Sequence, residues 1–345
     1  GSEMCIRDSL GIAVQQGWLQ EDLAHLGTQV QSVREADQQA VRESHFDHSL
    51  RNSVRHGGSI PAIWARAQGR ETRVIGLSWA DEAQLILTRP DSGIHTVKDL
   101  KGRRFGLPDW ASAQIDFTRA QALRGLENAL KLAGLQVGDV ELVNYRYTGT
   151  FSDRPVRNVA GTPVSASQSE GRNLELAALL RGEVDAIFLK GASAVQLAHA
   201  FALHTVIDTG SHPDPLIRSN NGTPRTLAVD EHLLQAHPQV ARTLLGAVLR
   251  AERWAHQHPD ETRRYLARET NSSEYWVSVA YGNDAHLRLS TGLDDQAIDA
   301  LQDFVEFLKR WRFIPARFDV REWIDRRPLQ HLQAPTPMDR KPVTP

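Results

Sequence analysis

The chain has 345 residues, with 40 Lys and Arg against 42 Asp and Glu and a net charge of −2. Hydrophobic residues make up 41% and charged residues 24%, which is typical of globular proteins and argues against extensive disorder. These values exclude a basic surface for nucleic-acid binding, the absence of a long apolar run excludes membrane insertion, and the single cysteine, Cys5, excludes an intrachain disulfide framework.

The first nine residues, GSEMCIRDS, differ in character from the rest of the chain. They lack the basic, apolar and small-residue order of a signal peptide, and they resemble a translated adapter rather than native sequence. We therefore expect residues 1–9 to be artefactual and the native N-terminus to be missing. The redox compartment and the cellular location stay open on this evidence.

The first part of the chain is predicted to alternate between helices and strands. A helix is expected from Leu10, with Ser9 as a possible N-cap. The elements predicted after it are a strand at 29–32, a helix at 59–67, strands at 73–79 and 84–88, a short helix at 97–100 and a strand at 103–107.

The second part continues this alternation, which at this length predicts two α/β lobes. The stretch 148–168 is rich in Ser, Thr, Gly, Pro and Asn and is predicted to be a long loop. The helices are predicted at 117–132, 174–180, 194–202, 238–257 and 294–311, and the strands at 140–143, 185–189, 205–208 and 226–229.

Three sequence stretches carry a family resemblance: DLKGRRFGL at 99–107, LRGEVDAI at 180–187, and the helix from His237-Pro to His258-Pro-Asp with Trp254. Together they resemble the type II periplasmic-binding-protein superfamily, in its sulfonate-binding and thiamine-precursor-binding branch. The resemblance implies a two-lobed α/β fold with the ligand cleft between the lobes. Lobe 1 is expected to comprise residues 10–108 plus 212–345, and lobe 2 residues 109–211.

A narrower resemblance rests on SHFDHSLRNSVRHGGSIP at 44–61, which is similar to the hydroxybiphenyl sulfinate desulfinase-like branch. It implies that His45, Arg55 and Gly58 surround a sulfinate. The cysteine of that branch precedes the residue matching Gly17 by thirteen positions and falls on Met4. Cys5 is one position away, so its catalytic role is the weakest part of this match.

The residue types at this motif suit an oxyanion. The Arg55 guanidinium can hold two oxygens at once, and Gly57-Gly58 would let backbone N–H groups approach them. His45, expected at the end of a strand, could donate to the ligand or tune a thiol. The alternatives are a surface arginine and a structural histidine. His45, His48 and His56 could suggest a metal, but no carboxylate at ligand-like spacing joins them, so neither a metal nor a cofactor is expected.

Further candidates for the cleft wall come from strand ends. Trp79 and Trp110 are predicted either to contact the ligand or to belong to the core. Ser112 is predicted to cap the next helix or to hold an anion. Lys190, followed by Gly191, either reaches the ligand from the second lobe or is a solvated lysine.

Two functions from different classes remain. The first is a substrate-binding protein for a small organosulfur anion, read by an ABC permease and periplasmic if its signal peptide is lost. The alternative is an enzyme, a cysteine-dependent sulfinate hydrolase that releases sulfite and is cytoplasmic. A ligand-sensing regulator is disfavoured because no helix-turn-helix segment precedes the fold.

Overall fold

The computed structural model describes residues 2–5, 8–32, 38–148, 156–157, 163–164 and 173–333. The chain begins with eight elements that include four strands of one sheet. They are β1 (Ser2–Cys5), α1 (Asp8–Gln15), α2 (Trp18–Ala24), β2 (Val30–Ser32), α3 (Gln39–Asp47), β3 (Ser53–Gly57), α4 (Ser59–Ala67) and β4 (Thr72–Trp79).

The middle of the chain supplies a second sheet and its helices. Its elements are β5 (Gln84–Thr88), β6 (Arg104–Asp109), α5 (Phe117–Leu132), β7 (Glu141–Arg146), β8 (Val156–Arg157), β9 (Pro163–Val164), α6 (Leu174–Leu180), β10 (Ala186–Lys190), α7 (Gly191–Ala200) and β11 (His204–Asp208). Single turns of 3₁₀-helix lie at Val97–Leu100, Val137–Asp139 and Thr209–Ser211. Most of the loop predicted at 148–168 lies outside the described residues.

The last part returns to the first sheet and covers it with helices. It contains α8 (Pro215–Arg218), β12 (Arg225–Asp230), α9 (Glu231–Ala236), α10 (Pro238–Gln257), α11 (Pro259–Thr270), α12 (Glu274–Tyr281), α13 (Ala285–Arg288), β13 (Ser290–Gly292), α14 (Asp295–Arg310), α15 (Val320–Trp323) and α16 (Arg327–Gln333). No helix in the described ranges is long and apolar enough to cross a membrane.

The first sheet has the strand order β13-β4-β12-β3-β1-β2, and the second has the order β11-β5-β10-β6-β7. Strand β1 is parallel to β2 and β3, whereas β12 is antiparallel to both β3 and β4. The carboxyl ends of β1 to β4 therefore lie at one edge of the first sheet. Ligands of open α/β sheets bind at such an edge.

The chain passes between the two sheets at 80–83 and again at 209–224. Strands β5 and β6 each pair with β10 in the second sheet, although the sequence analysis grouped most of their residues with the first lobe. The lobe boundaries given above stay predictions. The predicted α/β architecture is confirmed, and the structure forms it with open sheets.

The helix predicted from Leu10 begins at Asp8 instead, and its predicted cap is wrong. Gly17 has a φ of 76°, a left-handed conformation that ends α1 and starts α2. Ser9 lies inside α1, and its hydroxyl donates to Oε1 of Glu252 at 3.1 Å rather than capping the helix.

Candidate functional site

Arg55 lies on β3 and is only 6% exposed. Its Nε donates to the carbonyl of His45 at 2.5 Å, and its Nη1 donates to the carbonyl of Gly58 at 2.9 Å. The guanidinium thus joins the end of α3 to the start of α4. The alternative of a surface arginine is wrong, because such burial takes the charge out of water and requires partners.

His45 lies in the last turn of α3, so the prediction that it ends a strand is wrong. The segment QAVRESHFD forms a helix that precedes β3. The His45 ring packs edge-on against Phe46, with the ring centroids 4.6 Å apart. What ties His45 to Arg55 is its main-chain carbonyl.

The two glycines after Arg55 differ in what requires them. A Cβ on Gly57 would lie 3.4 Å from Arg55 Nη2, which is an ordinary contact. A Cβ on Gly58 would lie 2.6 Å from the Oδ1 of Asn221, which is too close. Gly58 therefore leaves room for a protein side chain, whereas the sequence analysis attributed its size only to an approaching oxyanion.

His48 and His56, the other two histidines near Arg55, are both buried. Burial lowers the pKa of His48 well below its ordinary value, and the positive charges of Arg55 and Arg70 lower it further. His48 is therefore neutral at pH 7. His56 is fully buried, and its Nε2 lies 2.8 Å from the hydroxyl of Ser78.

Behind His56, a row of buried polar groups crosses the first sheet. The Ser78 hydroxyl lies 2.7 Å from that of Thr291, which donates to Oε1 of Glu252 at 2.6 Å. The main-chain N–H of Thr291 donates to the other carboxylate oxygen at 3.1 Å. Burial raises the pKa of Glu252, although the hydrogen bonds from Thr291 partly offset this effect.

Cys5 is the last residue of β1, and in the parallel pairing its main chain lies opposite Arg55. The side chains of residues 2–5 lie outside the described part of the structure. The pairing nevertheless puts the backbone of Cys5 and that of Arg55 on adjacent strands.

The remaining predicted residues are divided between core and surface. Trp79 is half-buried at the end of β4, and its Nε1 donates to Asp81 at 3.1 Å. Trp110 is buried, and its ring stacks on that of Tyr147 at 4.6 Å. Ser112 is exposed in a turn, and the predicted cap is wrong, because Asp116 caps α5 through the N–H of Arg119.

An aromatic contact connects the two sheets near Arg55. Phe46 follows His45 on α3, and its ring stacks on that of Phe117 at the start of α5, with centroids 6.1 Å apart. Phe117 follows Asp116, whose carboxylate accepts the N–H of Trp110 at 2.7 Å. The stack of Phe46 on Phe117 therefore connects the residues around Arg55 with those around Trp110.

Lys190 is partly buried and paired. It forms an ion pair with Glu82, which is 5% exposed and also accepts from the Tyr281 hydroxyl at 3.1 Å. Burial raises the pKa of Glu82, but the charges of Lys190 and Arg225 outweigh this and hold the pKa below its ordinary value. This pair lies where the chain leaves the first sheet for the second.

The sequence analysis missed Asn221 and Phe46, and also Phe117, Tyr147 and Glu175. The Asn-Gly pair at 221–222 is a turn signal, but it does not reveal which distant helix the amide contacts. Tyr147 donates to Glu175 at 2.5 Å, and burial raises the pKa of that carboxyl group. Neither residue belonged to a motif.

Residues 12–163 match the family model described as NMT1/THI5 like. The 2'-hydroxybiphenyl-2-sulfinate desulfinases of Rhodococcus erythropolis and Rhodococcus qingshengii are 28% identical over 293 residues, which is 76% of this chain and 76% of each enzyme. The resemblance to the desulfinase-like branch is thereby confirmed.

Solved structures agree with the fold. The desulfurization enzyme DSZB, as a mutant in complex with biphenyl-2-sulfinic acid, superposes with a TM-score of 0.72 at 24% identity, covering 96% of this chain and 97% of that one. The periplasmic aliphatic sulphonate binding protein SsuA of Escherichia coli gives a TM-score of 0.65 at 17% identity, covering 99% and 94%. The chain has the periplasmic-binding-protein fold, which it shares with a desulfinase and with sulfonate-binding proteins.

Proposed function

We propose that this chain, a relative of the desulfinases with a periplasmic-binding-protein fold, binds a small organosulfur oxyanion, a sulfonate or a sulfinate, at Arg55 in the cleft between its lobes. The observation that carries the proposal is the burial of this arginine at the edge where the parallel strands β1 and β3 end. A fixed guanidinium in a site of low dielectric attracts an anion more strongly than one in water.

The carbon skeleton of the ligand would contact the aromatic residues between the sheets. Phe46 and Phe117 stack on each other near Arg55, and Trp110 is linked to Phe117 through Asp116. Flat apolar rings next to one charged group suit an aryl or alkyl sulfonate or sulfinate. In a transport role, an ABC permease would recognise the ligand-closed form.

A second candidate function is desulfination, and the pairing of Cys5 with Arg55 on adjacent strands favours it. In that reaction an aryl sulfinate and water give the arene and hydrogen sulfite. The carbon to sulfur bond breaks, the ring carbon receives a proton, and the sulfur receives the oxygen of water. The Cys5 thiol would supply the proton or the nucleophile, and Arg55 would stabilise the departing oxyanion.

Titration calorimetry with biphenyl-2-sulfinate tests the binding proposal. Arg55→Ala is expected to weaken binding by more than about tenfold, because it removes a buried bidentate donor. Arg55→Lys keeps the charge and loses the fork, so its affinity should lie between those of Arg55→Ala and the unchanged chain. Arg51→Ala, at an exposed position four residues earlier, is the matched control. A loss of less than tenfold in Arg55→Ala would place the site elsewhere.

Release of sulfite from the same compound separates the two functions. Turnover that disappears in Cys5→Ser would establish desulfination in this chain. Binding without sulfite release would leave a sulfonate- or sulfinate-binding protein.

A further inference from the structure

Asn221 accepts hydrogen bonds from the main-chain N–H groups of the first two residues of α4. The N–H of Ser59 donates to the main-chain carbonyl of Asn221 at 2.8 Å, and the N–H of Ile60 donates to its Oδ1 at 2.9 Å. The third residue of the helix, Pro61, has no N–H. Because the N-cap Gly58 has no side chain, a residue 161 positions away from Ile60 supplies the cap.

Gly58 packs against the Asn221 side chain, and its carbonyl is hydrogen-bonded to Arg55. Any side chain at position 58 would meet the Asn221 amide, since even a Cβ would lie 2.6 Å from its Oδ1. The carbonyl of Gly58 accepts from Arg55 Nη1 at 2.9 Å. The orientation of the Gly58 peptide, and with it that of the guanidinium, therefore depends on Asn221.

Asn221 is itself held from the second sheet. Its N–H donates to Oδ1 of Asn220 at 2.8 Å. The Asn220 amide nitrogen donates to Oε1 of Gln84 on β5 and to the carbonyl of Gln121 on α5, each at 3.0 Å. The path from α5 through Asn220 and Asn221 to α4 connects the two lobes at the segment where the chain passes between them.

Most side-chain caps of the described α-helices carry a negative charge, unlike Asn221, and Ser273 of α12 is another neutral one. An aspartate accepts the first-turn N–H of four described helices, and these caps are Asp116 of α5, Asp214 of α8, Asp294 of α14 and Asp319 of α15. Aspartate and asparagine are equally good caps, and a negative charge also suits a helix N-terminus. A carboxylate at position 221 would, however, lie beside Gly58, whose carbonyl binds Arg55, and its charge would repel an oxyanion held there.

We infer that Asn221 is a positioning residue for the oxyanion: it fixes the Gly58 peptide, to which the Arg55 guanidinium is bound, and adds no negative charge of its own. The inference rests on the proposed function. It assigns to position 221 a requirement for a neutral acceptor, beyond the requirement for a cap.

The substitution Asn221→Asp separates the two requirements. It keeps the acceptor oxygen, so the melting temperature should stay within a few degrees of that of the unchanged chain. The affinity for biphenyl-2-sulfinate should fall by about tenfold or more. Asn283→Asp, which adds the same charge at an exposed position before α13, should change neither property. An unchanged affinity in Asn221→Asp would overturn the inference.

A measurement without ligand keeps the inference distinguishable from the proposed function. Gly58→Ala should lower the melting temperature by several degrees, because its methyl group meets the Asn221 amide. In the Asn221→Ala background the same change should lower it by less than about half as much, since the obstructing amide is gone. Equal effects in both backgrounds would contradict the link between Gly58 and Asn221. If the chain binds no sulfinate while the two positions are coupled, the proposed function fails and the contact stands.

Discussion

At the scale of single residues, the first sheet places polar groups where an α/β protein usually has only apolar ones. Hydrogen bonds through Ser78 and Thr291 connect fully buried His56 on β3 to Glu252 on α10. Burial is the main influence on Glu252, and it raises the pKa. Its carboxyl group is therefore easier to bury in the protonated form.

Glu252 should give the stability of the chain a specific dependence on pH. Because the folded-state pKa is raised, the folded protein holds the proton more tightly than the unfolded chain does. The contribution of Glu252 to the free energy of unfolding is then fully present below the unfolded pKa and is lost as the pH rises through the folded pKa. The melting temperature of the unchanged chain, measured relative to Glu252→Gln, should be highest below the ordinary glutamate pKa of about 4.3 and should decrease as the pH rises through the raised folded-state pKa. A difference that increases with pH would show that the carboxylate form is the stabilising one.

At the scale of elements, local sequence signals predicted the helices that begin or end in a strong signal. The bounds of α4, α5 and α10 agree with the prediction, because Pro61 and Pro238 mark helix starts and Gly134 follows the end of α5. Helix α3 was missed, since its sequence QAVRESHFD has few apolar residues and its mean hydropathy is low. Arg55, ten residues after His45, binds the carbonyl of His45 in the last turn of α3, a contact that the local sequence does not reveal.

The candidate site was predictable only as far as its motif. The motif at 44–61 indicated Arg55, His45 and Gly58. In the structure, the Arg55 guanidinium donates to the main-chain carbonyls of the other two residues. Asn221 could not be found in this way, because its contact with α4 joins residues 161 positions apart. Only the fold determines such a contact, and no local pattern records it.

The packing of α5 on the second sheet gives a test of the element arrangement. Gly125 of α5 faces Phe188 of β10, and a Cβ on the glycine would overlap the phenyl ring. Gly125→Ala should therefore destabilise the chain by about 1–3 kcal/mol in urea unfolding, despite the higher helix propensity of alanine.

The matched control for this change is Gly246→Ala in α10. There the added Cβ would lie 3.7 Å from Leu332, an ordinary contact, so the substitution should stabilise the chain by about 0.5–1 kcal/mol. If both substitutions stabilised the chain, the packing of α5 against β10 would be incorrect.

At the scale of the whole molecule, the region between the sheets contains two layers of contacts. Phe46 and Phe117 stack across it near Arg55, and the ion pair of Glu82 with Lys190 lies where the chain passes from β4 to β5. Asn220 and Asn221 lie in the second segment that joins the two sheets, 209–224. Asn221 is hydrogen-bonded to α4, and Asn220 is hydrogen-bonded to α5. A ligand bound at Arg55 would contact groups whose positions depend on both sheets, which is how two-lobed proteins couple binding to closure.

The central claim is that this chain recognises the negative charge of an organosulfur oxyanion. The most direct measurement is a calorimetric comparison of an aryl sulfinate with its methyl sulfone, which has the same ring system and sulfur but no charge. We expect the sulfinate to bind at least about tenfold more tightly, and this difference should disappear in Arg55→Ala. Equal affinities for the two compounds in the unchanged chain would contradict the account, because the cleft would then bind the aromatic skeleton without recognising the anion.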